Sequence, residues 1–477
     1  MHLSDLHIGV NTLLEPSGEF AQQRLLEVLT TGVRVVKPKF VLATGDLNDG
    51  SGNSLHIPTS GQAQWEWDLY KGIYTTAGML PNFYYDIPGN HDAYEDLPFS
   101  YYLNNSLQGQ TNHKLWVDFS VTTPVGEYYF FGFNSDGDKL WKALTNCCPE
   151  FLDSELTEFE TRIKGAHAGA QIVFAAGHHA LTYPEPPPTG ECPSPLNADR
   201  LATLLKDKNG FYLHGDVHSY KEYMDRGVVS HEVASLGKSP GNNIAIGLID
   251  HNAFIYKAAS INDPTTSPWP FVMISAPVAY QLGNGETNPY GYNVCKDREN
   301  NVVRAVVFTS ERPSSVFVEL DSLPSTRTSL HVVSGLAQEA AIWEATLDTR
   351  SLTSGVHTLT VSVGTASGRV AQDTVSARFA SGPCEPIPDD DAPDGGSPDG
   401  GESDSGEDGS FADGSTDASS RDGAMADGAD GADGADGSVN PPLSPEGGGG
   451  CQFGPNGSSN ASWLLALLGL FARRRKS

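Results

Sequence analysis

The chain is poor in basic residues, in cysteine and in long apolar runs. Its 477 residues hold 30 Lys and Arg against 59 Asp and Glu, a formal net charge of −29. No basic stripe is visible, and a phosphate backbone needs one, so no nucleic acid is expected as a partner. Six cysteines, at Cys147, Cys148, Cys192, Cys295, Cys384 and Cys451, are too few for a disulfide framework. None stands at the Cys-x-x-Cys spacing of a zinc site. A single bridge, Cys148 to Cys192, is the pairing expected if the chain is exported. A full membrane span needs about 20 apolar residues. The run Ala461 to Ala472 falls short of that.

Most of the negative charge belongs to one segment. Between Glu385 and Glu446 stand eighteen acidic residues and one Arg421. This stretch includes "MADGADGADGADGS" and almost no large apolar residue, so it cannot bury enough surface to offset its ordering entropy. It reads as an extended, self-repelling linker over 383–450. Its Asp-Gly repeats lack the closing Glu of a calcium loop.

Upstream, two grammars follow one another. Over 1–259, short β-rich runs such as "KFVLATGD", "NFYYDIPGN", "EYYFFGFNSD", "QIVFAAGHH" and "GFYLHGD" alternate with helix-like stretches. This is the pattern of an α/β layered fold, in which ligands bind at the carboxyl edge of the strands. Trp65, Trp67 and Tyr70 are expected to pack one helix into the core. Over 260–382 the chain reads as strands without helices, "WPFVMISAP", "VVRAVVFTS", "SVFVELD", "HTLTVSVGT" and "QDTVSARFA", at the size of an immunoglobulin-like β-sandwich. No catalytic constellation appears there.

Chemistry-bearing residues gather where the first set of runs stops: Asp5 and His7, Asp46, Asn90 and His91, His178, and Asp216 and His218. Side chains two apart on an extended strand point the same way, so Asp5 and His7 are expected to grip one cation together. Carboxylate oxygen and imidazole nitrogen suit zinc, manganese or iron. A carboxylate such as Asp46 can bridge two cations, the clamp that phosphoester hydrolysis uses.

In order, these blocks resemble the calcineurin-like metallophosphoesterase superfamily, with its D-x-H, G-D-x-x-D, G-N-H-D, G-H and G-H-x-H signature. The resemblance implies a four-layer αββα sandwich, followed here by the immunoglobulin-like β-sandwich. The longer arrangement is similar to the transmembrane phosphoesterases of the transmembrane-protein-sixty-two type. By resemblance, one metal is held by Asp5, His7, Asp46 and His218, and a second by Asp46, Asn90, His178 and Asp216. His91 would help the leaving oxygen of a phosphate mono- or diester depart, with Asp92 orienting its ring, while a metal-bridging hydroxide attacks. Asp49, His179 and His214 would support the ligands. "GDVH" departs from the signature by placing Asp216 where the family has His, and His214 is expected to be able to compensate. Two divalent ions, three carboxylates and a hydroxide then sum to roughly zero rather than roughly +1. Either one metal is ferric, or a monoanionic diester is preferred. The rival reading is a surface binding or adhesion module weakened in catalysis by Asp216.

The C-terminal segment 451–477 resembles a myxobacterial-type sorting signal, with Gly450 and Cys451 before a short apolar run and then Arg473, Arg474 and Arg475. That resemblance implies membrane attachment, a sorting protease acting at Cys451, and display on the extracytoplasmic face of the cell envelope. An export signal upstream of Met1 is then expected, together with a longer first strand.

Overall fold

The computed structural model describes residues 1–382 except 11, 13–15, 51–60, 97–98, 137–148, 183–193, 239–240, 251, 262–266 and 336–339. The linker, the C-terminal segment with Cys451, and the Cys148–Cys192 pair lie outside the described residues. Cys295 is disulfide-bonded.

Among the described residues, the α/β region is built on eleven strands: β1 (His2–Leu3), β2 (Val41–Thr44), β3 (Tyr84–Ile87), β4 (Val117–Thr123), β5 (Gly126–Gly132), β6 (Ile172–Ala176), β7 (Phe211–His214), β8 (Lys221–Asp225), β9 (Val228–Glu232), β10 (Asn243–Asp250) and β11 (Ala253–Ser260). They form two sheets, in the orders β11-β10-β1-β2-β3 and β4-β5-β6-β7-β9-β8. β1, β2 and β3 run parallel, as do β5, β6, β7 and β9; β10, β11, β4 and β8 are antiparallel additions on the flanks.

The layers follow from what each sheet face buries. Leu42, Ile87, Phe130, Phe174, Leu213 and Val229 fill the space between the two sheets. The outer face of the first sheet packs on the helical stretch Ala21–Val36 and the helix Gln64–Thr76 through Leu25, Val28, Trp67 and Tyr70. The outer face of the second packs on the helices Asp153–Lys164 and Ala198–Lys206 through Leu156, Phe159, Leu201 and Leu205. Helix, sheet, sheet and helix are thus stacked over three apolar interfaces. Trp65 departs from expectation and is 38% exposed. Two residues apart on a helix is about 200° of rotation, so Trp65 and Trp67 cannot share the buried face.

Beyond Ser260 the chain forms β12 (Phe271–Ala276), β13 (Asn293–Cys295), β14 (Asn301–Phe308), β15 (Pro313–Leu320), β16 (Thr328–Ser329), β17 (His331–Ser334), β18 (Ala341–Leu347), β19 (Gly355–Thr365) and β20 (Val370–Ala380). These make two largely antiparallel sheets, β12-β14-β18-β17 and β13-β20-β19-β15-β16, over a shared core that includes Val303, Ala305, Val307, Val318, Val361 and Phe379. The opposite face of β12 and β14 joins the α/β region: Met273, Val306 and Phe308 pack into the cluster that contains Ile244, Ile246 and Ala259. Arg304 pairs with Asp250 at 2.9 Å and Lys257 with Asp373 at 2.8 Å across the same junction.

Candidate metal centre

Every sequence-expected ligand lies just past a parallel strand. Asp5 and His7 follow β1, Asp46 follows β2, Asn90 and His91 follow β3, His178 follows β6, and Asp216 and His218 follow β7. The carboxyl ends of both sheets therefore empty into one place. Two glycines allow the loops to meet: Gly45 takes φ +94°, and a Cβ on Gly89 would overlap Asp46.

The Asp5–His7 pair meets for a different reason than alternation along a strand. β1 ends at Leu3, and Asp5 and His7 have φ of 53° and 47°, both in the left-handed region. Asp46, Asp216 and His218 share it, at 51°, 72° and 58°. Such backbone costs a non-glycine residue on the order of 1–3 kcal/mol and persists where the surroundings over-determine it. Here the Asp5 and His7 N–H groups donate to the carbonyls of Gly45 and Asp46 at 3.0 and 2.9 Å, and the Gly237 N–H donates to the Asp5 carbonyl at 2.9 Å.

Among the described residues, four overlapping sets of candidate ligand atoms result: Asp5, His7 and His218; Asp5, Asp46 and His178; His178, His179 and Asp216; and His7, Asp49 and His91, each within 4.8 Å. His218 Nε2 lies 3.2 Å from both Asp5 Oδ1 and His7 Nε2. Asp46 faces both ways. Its Oδ1 is 3.3 Å from His178 Nε2, and its Oδ2 is 3.7 Å from His7 Nε2. Asp216 Oδ1 stands 3.7 Å from His178 Nε2, and the Asp216 N–H donates to Asp5 Oδ2 at 3.1 Å.

The donors are also in the right form for a cation. His178 Nδ1–H donates to the Thr44 carbonyl at 2.8 Å, and His7 Nδ1 faces Asp49 Oδ1 at 3.1 Å. The Thr44 carbonyl fixes a proton on His178 Nδ1, so Nε2 is the nitrogen that faces the cluster, as the acceptors behind ligating histidines arrange it. Asn90 donates through Nδ2 to Tyr94 at 2.9 Å, while its buried Oδ1 has no donor. Burial opposes ionisation of Asp46, but His178, His91 and His7 outweigh it and hold the carboxyl well below its usual range. Burial likewise opposes the charged form of His178, yet Asp46, Asp5 and Asp216 hold its pKa well above the ordinary value. Burial and the Lys238 ammonium lower His7 to about 4. Convergent carboxylates, an unpartnered amide oxygen and inward Nε2 atoms, whose protons a cation would displace, fit a pair of small divalent or trivalent cations.

Three sequence expectations change. Asp92 does not orient His91: its carboxylate accepts the N–H groups of Leu47, Asn48 and Gly89 at 3.1, 3.0 and 2.9 Å. The His91 ring is held instead by the Asp49 carbonyl, 2.7 Å from Nδ1. Burial and the Asp46 charge raise Asp92 to about 7. His214 does not compensate for Asp216, because its Nε2 pairs with the Tyr223 hydroxyl at 2.9 Å. Asp49 does more than expected, supporting His7 and pairing with the buried Lys238 ammonium. Tyr94, Ser135 and Lys238 are site residues that the sequence reading missed. Ser135 carried a signal, as the polar end of the strand-like run "EYYFFGFNSD".

Comparison with known proteins agrees with this geometry. Residues 1–220 match the calcineurin-like phosphoesterase family. The mouse (Mus musculus) protein Transmembrane protein 62 is 25% identical over 386 residues, covering 77% of this chain and 53% of its own length. An Arabidopsis thaliana protein bearing the name metallophosphoesterase is 25% identical over 234 residues, 46% of this chain and 29% of its own. The chain thus spans about half or less of the length of these relatives. A solved Staphylococcus aureus structure described as a 5′-nucleotidase shares 14% identity over 56% of this chain and 55% of that one, at a TM-score of 0.34. Residues 1–220 of the α/β region are thus similar to the calcineurin-like phosphoesterase family, and the same region brings together buried His and Asp clusters that could hold metal.

Proposed function

We propose that the protein hydrolyses phosphate mono- or diesters at a binuclear centre formed by Asp5, His7, Asp46, Asn90, His178, Asp216 and His218. The observation that carries this reading is Asp46, a buried carboxylate with one oxygen toward His178 and the other toward His7. When bound, the two cations supply an activated water and neutralise charge on the phosphoryl oxygens. The chain supplies the rest. Tyr94 sets the Asn90 amide so that its oxygen faces the site. The Asp49 carbonyl anchors His91 through Nδ1 and turns Nε2 toward Asp46, so that the imidazolium form would give its Nε2 proton to the departing oxygen.

Asp216 sits among the ligands, which supports catalysis over a purely adhesive role. The Lys238 ammonium offsets Asp49, so three uncompensated carboxylates remain, in keeping with a ferric ion or a diester substrate. We further infer that the β-rich region is immunoglobulin-like and that the protein is displayed on the cell envelope through its C-terminal segment. The disulfide at Cys295 supports an oxidising compartment. Among the described residues no helix is long and apolar enough to cross a membrane.

The test is hydrolysis of p-nitrophenyl phosphate and bis-p-nitrophenyl phosphate by Mn2+-loaded protein, with Asp46→Ala and Asn90→Ala beside it and metal counted in each. Turnover that disappears in both variants supports the reading. Equal rates in all three would remove it.

A further inference from the structure

Four imidazoles of the cluster are not wired alike. His7, His91 and His178 each place Nδ1 against an oxygen acceptor, Asp49 Oδ1, the Asp49 carbonyl and the Thr44 carbonyl. His179 is the reverse. The Ser135 hydroxyl oxygen accepts the N–H groups of His178 and His179 at 2.9 and 3.1 Å, which uses both of its lone pairs. The same oxygen lies 2.9 Å from His179 Nδ1. Its one O–H must then donate to Nδ1, so the ring proton of His179 sits on Nε2.

Among the described residues that N–H has no hydrogen-bond partner, and the residue is 0% exposed. Asp136 Oδ1, at 4.0 Å, is beyond hydrogen-bond reach. One ring nitrogen of His179 lies within 4.8 Å of the ligand atoms of His178 and Asp216, and Nδ1 is committed to Ser135. The Tyr212 hydroxyl donates to the His179 carbonyl at 2.6 Å and fixes the backbone beneath. A buried donor without an acceptor is costly to keep. A ligand that brings an acceptor relieves that cost, whereas a cation cannot bind a protonated nitrogen.

We propose that His179 is a substrate-binding residue, not a cation ligand, and that its Nε2–H donates to a non-bridging oxygen of the phosphoryl group. The proposal rests on the phosphoesterase reading and adds a residue to it. Its test uses the full chain in wild-type, His179→Ala and His179→Gln forms, loaded with Mn2+ and titrated calorimetrically with inorganic phosphate. All three are expected to hold the same number of Mn2+ ions. His179→Ala should weaken phosphate about 10- to 50-fold, and His179→Gln, whose amide N–H stands near the lost donor, should stay within about 3-fold. Long-range ¹⁵N NMR of the metal-free wild type, with the signal assigned by its loss in His179→Gln, should show the proton on Nε2. A lost Mn2+ ion in His179→Ala, unchanged phosphate affinity, or a proton on Nδ1 would each overturn the proposal. Wild-type protein that takes up no Mn2+ would sink the phosphoesterase reading instead, while the tautomer measurement still judged the wiring of His179.

Discussion

The two regions treat buried polarity in opposite ways. In the α/β region, buried polar atoms without a hydrogen-bond partner crowd the strand ends, among them Asn90 Oδ1, His178 Nε2 and His179 Nε2. In the β-rich region, among the described residues, only Ser275 Oγ and Trp343 Nε1 lack one. There Asn301 reaches both the Cys295 carbonyl and Thr349, and Asp373 accepts the Ile274 N–H. Backbone strain divides the same way. Non-glycine residues at positive φ include five expected ligands in the first region and, among the described residues, only Asp321 and Ser322 in the second. A fold that keeps unsatisfied groups and left-handed ligands at one edge is held for a ligand; a fold that satisfies nearly everything is held for stability.

The sharpest way to break this contrast is to cut each region at its centre. Asp46→Ala should abolish turnover by at least about 10³-fold, because it removes the carboxylate that faces both His178 and His7. Metal analysis of the same variant should show fewer than two ions per chain. Leu359→Ala, at a site 0% exposed in the β-rich core, should instead cost about 2–5 kcal/mol in urea unfolding. Turnover per folded molecule and metal content should not change. A Leu359→Ala protein that folds but loses metal would erase the division of labour.

Metal removal comes next. If cations satisfy the orphaned donors, a saturating chelator should lower the melting temperature by roughly 5–10 °C, the scale expected when a ligand present at about 100-fold over its Kd is lost. Amide exchange in the loops after β1, β2 and β6 should accelerate, with β19 and β20 unaffected. Equal acceleration in both regions would show that the centre stabilises the whole unit.

A finer cut separates ligand from orienter within the site. Tyr94→Phe leaves Asn90 in place but removes the hydroxyl that its amide N–H meets. Metal content should hold while kcat falls about 2- to 12-fold, within the range of one net hydrogen bond. Loss of an ion in this variant would make Tyr94 part of the cation cage.

The positions of the expected ligands were readable because strand-ending polar blocks recur in chain order, and each of those residues lies at the carboxyl end of a parallel strand. How they meet was not. The pleat argument for Asp5 and His7 assumed extended backbone, whereas tertiary contacts with the carbonyls of Gly45 and Asp46 impose left-handed turns. The acid beside His91 was an attractive partner on paper. Three backbone N–H groups claim Asp92, and a main-chain carbonyl, invisible to residue-type reasoning, claims the ring. Lys238 reaches Asp49 only because the loop after β9 folds back over β1, a closure that no local pattern announces.

The smallest effect tests whether the loop of His218 carries a stability cost of its own. Glu232 is 1% exposed and accepts both the N–H and the hydroxyl of Ser219 through Oε1, at 3.1 and 2.6 Å. Burial raises its pKa to about 7, against the pull of Ser219 and Lys221. A carboxyl whose pKa is higher in the folded state binds its proton more tightly there. Its contribution to stability is therefore complete below the unfolded value near 4.5 and is lost as pH rises toward about 7. Glu232→Gln keeps an oxygen acceptor for Ser219 but cannot ionise. Relative to the variant, the wild type should lose on the order of 1–3 kcal/mol between pH 5 and pH 8, with the two curves converging at the acid end. Parallel curves from urea titrations across that range would mean that Glu232 is solvated well enough to titrate as it does in the unfolded chain.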